Sequence, residues 1–227
     1  MRQVSFALRT LLPALSLTLF CACGAGEGSG ALTPTPSPAP SPQTSGYASV
    51  LLEGAPFFDM DSQEETTLAS LLETYSAGWA QVEVSQFAVV DLDGGGPEVL
   101  LWLAAGSDPA YGFEVLREAE GQVLGYSFTY RNFGAIKTDG SFFVSGGADD
   151  YGVGVLRFEG DTWSIQRIAS CERTVGEEGE EVLSYFVDGA SAGEDAYQAA
   201  YEAQKAKEDV LWRPFTPEEV EAALAEI

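Results

Sequence analysis

Asp91, Asp93 and Glu98 are the residues of this chain best placed to do chemistry. They stand in Val89-Val90-Asp91-Leu92-Asp93-Gly94-Gly95-Gly96-Pro97-Glu98-Val99-Leu100, where two apolar runs flank an acidic, glycine-rich turn. Carboxylates at alternate positions on such a turn converge, because glycine lets the backbone fold around a central point. Hard oxygen ligands arranged this way suit Ca2+. The same residues admit a second reading, a hairpin turn whose aspartates bond their own backbone. An EF-hand loop is excluded, because the twelfth position counted from Asp91 is Trp102 rather than Glu.

Carboxylates also open a different class of chemistry. Glycoside hydrolysis needs two acids flanking a sugar, and 35 acidic residues place some pair at a suitable separation by chance alone. Asp149-Asp150 is one further acidic pair that folding could bring to a site. Nucleophilic chemistry is poorly supplied. The chain has no His, which removes the commonest general base and the commonest zinc ligand. Cys171 in a strand-like stretch reads as a small buried hydrophobe. Trp79, Tyr111, Tyr151 and Trp163 could stack on sugars, although aromatics in strands usually pack a core.

The Asp91–Glu98 turn resembles the Asp-x-Asp-Gly-Asp-Gly-x-x-Glu turns of FG-GAP and VCBS-type extracellular repeats, and a segment of poorly characterised lipoproteins of gut bacteria. The resemblance implies a calcium site and carries over to Asp91, Asp93 and Glu98 alone. Gly95 stands where the pattern has its third carboxylate, and the loop is one residue short before Pro97-Glu98. Three carboxylates imply weak binding, in the millimolar range of extracellular modules.

The beginning of the chain speaks to location. Arg2 and Arg9 give a basic start, Thr10 to Phe20 carries no charge, and the small residue Ala22 precedes Cys23. That is the layout of a secretory signal peptide. It resembles the lipobox of bacterial lipoproteins, which implies that Cys23 is lipidated, with acyl chains such as palmitate, and becomes the new N-terminus. The expected location is the extracytoplasmic face of a cell membrane, reached through the lipid anchor. The apolar run falls below the ~20 residues needed to span a bilayer, and Pro13 interrupts it.

Charge narrows the partners. The net charge is −24, and loss of Arg2 and Arg9 with residues 1–22 takes it to −26. Such a chain repels nucleic-acid phosphates and anionic lipid heads alike. An unknown surface protein or glycan is the expected partner, and no cofactor is required beyond the weak Ca2+ of the turn.

The elements that must position these residues begin after a linker. Residues 23–46 contain Thr33-Pro34-Thr35-Pro36-Ser37-Pro38-Ala39-Pro40-Ser41-Pro42. Proline at every second position favours polyproline II, and at ~3.1 Å per residue ten residues reach about 30 Å. One domain spans 47–227. Leu68, Leu71, Leu72 and Tyr75 fall on one face of a helix, with Ser62 and Glu65 as its capping box and Asp59 and Asp61 favouring its N-terminal end. Residues 82–188 read as strands. Among them Tyr111-Gly-Phe-Glu-Val-Leu-Arg recurs as Tyr151-Gly-Val-Gly-Val-Leu-Arg at a spacing of 40, each copy running into Glu-Gly and another strand. Two copies cannot close a propeller, so a curved meander is expected.

Two helices close the chain. One is capped by Ser191 and Glu194 and buries Tyr197, Ala200 and Tyr201. The other starts at Thr216-Pro217-Glu218-Glu219 and buries Val220, Ala223, Leu224 and Ile227. Leu211, Trp212 and Phe215 should pack the link between them onto the sheet. The fold class is α+β: a mainly antiparallel meander sheet flanked by one N-terminal and two C-terminal helices. The expected role is a non-catalytic surface binding or interaction module, with a carboxylate-dependent hydrolase such as a glycoside hydrolase as the alternative.

Overall fold

Phe87-Ala88-Val89-Val90 and Val99-Leu100-Leu101-Trp102-Leu103 are too apolar to face water on either side, and the fold covers both of their faces. The computed structural model describes residues 45–76, 80–147, 150–175 and 179–227. The chain divides after Ser41 into two units, and everything described belongs to the second, Pro42–Ile227. Cys23, the proline run, Trp79 and Asp149 lie outside the described residues.

The described chain opens with α1 (Gly46–Glu53), β1 (Phe57–Asp59), β2 (Glu64–Thr66) and α2 (Leu68–Ser76). The meander β3 (Val82–Asp91), β4 (Pro97–Ala105), β5 (Asp108–Ala119) and β6 (Gln122–Thr129) follows. After a 3-10 turn at Tyr130–Asn132 comes a second meander. Its strands are β7 (Ser141–Gly147), β8 (Asp150–Glu159), β9 (Thr162–Val175), β10 (Glu181–Val187) and β11 (Ala190–Ala192). The chain ends with α3 (Glu194–Lys205), β12 (Arg213–Pro214) and α4 (Pro217–Leu224).

The strands form two sheets where one was expected. The first has seven strands in the order β12-β3-β4-β5-β6-β1-β2, and the second has five, β11-β10-β9-β8-β7. Every pairing is antiparallel except β1 with β6. Ala88, Val90, Leu100, Val115 and Tyr126 of the first sheet share a core with Phe142, Val144 and Leu156 of the second. The opposite face of the first sheet, including Phe87, Val99, Leu101 and Leu116, is covered by Tyr47 and Val50 of α1, Leu68 and Leu71 of α2, and Val220 and Ala223 of α4. Helix α3 covers the outer face of the second sheet through Tyr197, against Ala169 and Cys171. Each large apolar side chain buried in this way contributes about 1.5–3 kcal/mol. Cys171 is fully buried, in keeping with the reading of it as a hydrophobe.

The 40-residue repeat is one strand-turn-strand unit used twice, as β5–β6 and as β8–β9, once in each sheet. Its glycine has a steric cause. A Cβ on Gly112 would lie 2.6 Å from the Phe128 carbonyl oxygen, and one on Gly152 would lie 2.0 Å from the Ala169 carbonyl oxygen. The tyrosine before each glycine stays partly exposed.

Several local expectations change. Helix α1 is a second N-terminal helix, capped by Ser45, so the folded chain starts ahead of Tyr47. Ser62 and Glu65 do not cap α2, because Glu65 pairs with Phe58 in the β1–β2 hairpin. Thr67 caps it instead, accepting from the Ser70 N–H at 3.2 Å. Asp59 and Asp61 serve the hairpin: the Asp59 carboxylate accepts from the N–H groups of Asp61 and Ser62. Ser191 lies in β11, and Gly193 is the N-cap of α3. Thr216 caps α4 as expected, with Pro217 in its first turn. Trp212 and Phe215 pack onto Trp102 and Phe87, whereas Leu211 and Ile227 remain exposed.

Tyr47 ties α1 to β4, which starts at the candidate turn, and to its neighbour β5. Its hydroxyl donates to the Pro97 carbonyl and accepts from the Glu118 N–H, each at 2.8 Å. Burial, above all, pushes this phenol up to about 12, so it stays a neutral donor. Tyr47→Phe should lower the unfolding free energy by about 1–3 kcal/mol, since one change leaves two part-buried partners unmatched. Urea denaturation of the full chain checks this, and an unchanged midpoint would remove Tyr47 as a tie.

Candidate functional site

Asp91 ends β3 and Pro97 begins β4, with Val90 opposite Glu98 in the ladder. Between them Gly94 and Gly96 take φ values of 86° and 129°, a region that residues with a Cβ rarely enter. The turn brings the three expected residues together. Carboxylate oxygens of Asp91, Asp93 and Glu98 lie within 4.8 Å of one another, so the triad could hold a metal ion.

The chain already brings its own cation to two of the three. Arg117 Nη1 donates to Asp93 Oδ2 at 2.9 Å and to Glu98 Oε1 at 3.0 Å. Its guanidinium lies over the Phe158 ring, 4.2 Å from the centroid. The remaining oxygens are largely taken by backbone. Glu98 Oε2 accepts from the Leu92 N–H at 2.9 Å, Asp93 Oδ1 from Gly95 at 2.8 Å, and Asp91 Oδ1 from Gly94 at 2.6 Å. The second sheet reaches the same loop: the Phe158 N–H donates to Asp93 Oδ2 and Arg157 Nη1 to the Asp93 carbonyl. Arg117 and Arg157 are the matching arginines of the two repeat copies, and both end at Asp93.

Electrostatics separate the two acids. Burial pushes Glu98 up to about 7 against the pull of the Leu92 N–H and Arg117. Burial also works to raise Asp93, but hydrogen bonds from Arg117 and the Gly95 N–H outweigh it and hold the carboxyl below its usual range. A Ca2+ ion takes six to eight oxygens at 2.3–2.6 Å. As arranged, the triad does not fit that demand, because Arg117 and the backbone N–H groups already occupy most of its lone pairs. The geometry is that of a self-bonded turn.

Sequence reasoning missed a second candidate group, on the other side of the first sheet. Glu114 is wholly buried in β5. Its Oε2 accepts from Ser127 Oγ at 2.8 Å, Ser127 in turn bonds the Tyr75 hydroxyl, and Oε1 has no partner. Ser127 and Tyr75 line a cavity of about 480 Å³ with Asp61, Tyr111, Phe113 and Phe128. Burial first, then the charges of Asp59 and Asp61, push Glu114 up to about 8 against its bond to Ser127. The signal in the sequence is one acid inside Tyr111-Gly-Phe-Glu-Val-Leu, at a position whose counterpart in the second copy is Gly154.

One contact has the composition of a nucleophile and its base. Lys207 Nζ lies 3.0 Å from Ser141 Oγ. Lys207 is ion-paired to Asp139 at 2.8 Å, and Ser141 is buried and shared with Asp139 and Gln204. The cluster joins the start of β7 to the segment after α3. Tyr151 and Trp163 are partly exposed, and Trp163 packs on Phe128. No protein-family model, curated protein or solved structure matches the chain.

Two outcomes are expected. Arg117→Met removes one partner of a buried group of charges and should cost about 3–5 kcal/mol at neutral pH. The loss should shrink in acid as Asp93 and Glu98 take up protons. A cost below 1 kcal/mol by urea denaturation would show that the pair is weak. Glu114 is raised in the folded state from 4.5 to about 8. Its neutral form is therefore favoured by folding, and that contribution is present below 4.5 and lost as pH rises toward 8. Glu114→Gln should flatten this part of the stability–pH curve, and parallel curves for wild type and variant would contradict the assignment.

Proposed function

We propose that the protein is a lipid-anchored module on the extracytoplasmic face of a cell membrane that binds a surface ligand without transforming it. The observation that carries the binding role is the cavity beside Tyr75 and Tyr111. It joins aromatic walls to Asp61, Ser127 and, behind Ser127, Glu114. Its volume of about 480 Å³ is that of small-molecule pockets, which pair an apolar lining with a few placed polar groups. A glycan, or a small group presented by a surface protein, suits such a site. The anchor is supported by the basic start, the uncharged run and the Ala22-Cys23 junction. No helix among the described residues is long and apolar enough to cross a membrane. The charge of −24 disfavours nucleic acid as a partner.

Hydrolysis by carboxylates is the second reading, and one observation favours it. Asp61 and Glu114 serve one cavity, and Glu114 is raised to about 8. A carboxyl that holds its proton near neutral pH is what a general acid needs. Against it, Glu114 is sealed behind Ser127, and only Asp61 of the two lines the cavity. Calcium at Asp91, Asp93 and Glu98 is the reading this proposal sets aside. The three carboxylates converge, but an ion there would have to displace Arg117 from Asp93 and Glu98.

Two measurements test the reading. Cys23→Ala should leave the protein unprocessed or release it from membranes, and a variant that fractionates with membranes at the wild-type processed mass would rule Cys23 out as the anchor. A glycan and cell-wall-fragment array probed with the full chain should give retained ligands and no cleaved products. Product release from an array ligand would move the protein to the hydrolase class.

A further inference from the structure

The charge and hydrogen-bond pattern of the Tyr75–Tyr111 cavity is one-sided. Its lining contains Asp61 and no Lys or Arg, and Glu114 adds a second carboxyl one hydrogen bond behind the wall. Asp59 is a third, buried below the β1–β2 turn and close enough to act on Glu114. The rings of Tyr75 and Tyr111 stand 6.0 Å apart at 47°, forming an aromatic corner. Tyr111 belongs to β5, Tyr75 to α2, Ser127 to β6 and both aspartates to β1 and its turn, so every element around Glu114 that bears a titratable group here is acidic or phenolic.

We propose that this cavity binds a primary ammonium group carried on a ring-bearing body, with the cation at the aromatic corner and its N–H groups directed to Asp61 and the Tyr75 oxygen. The inference rests on the reading of the cavity as the ligand site. An ammonium over aromatic faces beside carboxylates is favoured by both the ring quadrupoles and the negative charge. An anionic guest would find no positive side chain in the lining.

The Glu114–Ser127–Tyr75 chain makes the preference sharper. With Glu114 ionised, Ser127 donates to Glu114 and Tyr75 donates to Ser127. The Tyr75 oxygen then presents lone pairs to the cavity. With Glu114 protonated, the chain can reverse: Glu114 donates to Ser127, Ser127 to Tyr75, and the Tyr75 proton turns outward. An ammonium only donates, so it matches the first arrangement alone. Its binding therefore favours loss of the Glu114 proton, which leaves the site for solvent. Affinity for an amine that stays protonated, such as phenethylamine, should rise with pH toward about 8 and level off above it, and binding at neutral pH should release protons.

Titration calorimetry on the full chain with phenethylamine tests this, with 3-phenylpropanamide as the neutral counterpart. A glucosamine oligomer set against its N-acetylated form asks whether the amine sits on a sugar. The amine of at least one pair should bind about tenfold more tightly than its neutral partner. Tyr111→Ala and Glu114→Gln should each remove most of that difference. Repetition in buffers of different ionisation enthalpy should show proton release in wild type and none in Glu114→Gln. Equal binding of charged and neutral probes, or amine binding unaffected by both variants, overturns the proposal and marks plain attraction to the net charge. Binding of the N-acetylated oligomer without either amine overturns it while leaving the surface-binding reading intact. No binding of any of the four probes together with an empty glycan array overturns both.

Discussion

Arg117 puts one positive charge between two carboxylates that the fold has removed from water. Asp93 and Glu98 lie where the first sheet, the second sheet and α1 meet, and unpaired acids there would each cost several kcal/mol. The guanidinium contacts both at about 3 Å and rests on Phe158 of the second sheet. Backbone N–H groups complete the arrangement from Leu92, Gly95 and Phe158. The turn is therefore a joint. The β3–β4 hairpin, the β5 arginine, the β8 strand end and the Tyr47 hydroxyl all fasten to it, and the layers of the fold are set by that fastening.

Much of this was written legibly in the sequence. The repeat Tyr-Gly-x-x-Val-Leu-Arg gave two hairpins, and the glycine in each copy stands where a neighbouring carbonyl leaves no room for a Cβ. The arginine of each copy reaches the same aspartate, from one sheet each. The turn and its three acids were also readable, but alternation on a glycine turn left open whether they meet at an ion or bond their own backbone. What could not be read was the identity of the cation. Arg117 follows Glu98 by 19 positions, and only the β4–β5 pairing brings it to the turn.

Other misreadings have the same root. Ser62-x-x-Glu65 satisfies the capping pattern, but strand pairing with Phe58 claims Glu65 first. Ser191 is likewise claimed by β11. Local patterns lose where a ladder offers several hydrogen bonds at once. Division into two sheets was invisible because hairpin signals fix neighbours and say nothing of which meander stacks on which. Helix α1 was hidden by the proline run directly before it, although Tyr47, Val50 and Leu51 have helical spacing. Glu114 left only a faint trace, one acid between Phe113 and Val115 in the apolar middle of β5. Its partners Ser127 and Tyr75 come from a different strand and a helix.

The two acidic centres divide the labour of the first sheet. At one end a buried group of charges is closed by an arginine and does structural work. On the helix-side face a carboxyl is left without an arginine, with one oxygen unmatched, next to an aromatic cavity. The first centre matches its charges closely, and the second leaves one buried carboxyl oxygen unmatched beside a cavity. The central claim is that the turn has its cation already. The most direct test is a Ca2+ titration of the full chain by scanning calorimetry at constant ionic strength, with Mg2+ in parallel. Equal, small, unsaturated rises are expected from both ions, because each only relieves the repulsion of a chain at −24. A Ca2+-selective rise of about 2–5 °C that saturates in the millimolar range, and that disappears in Asp93→Ala, would contradict it.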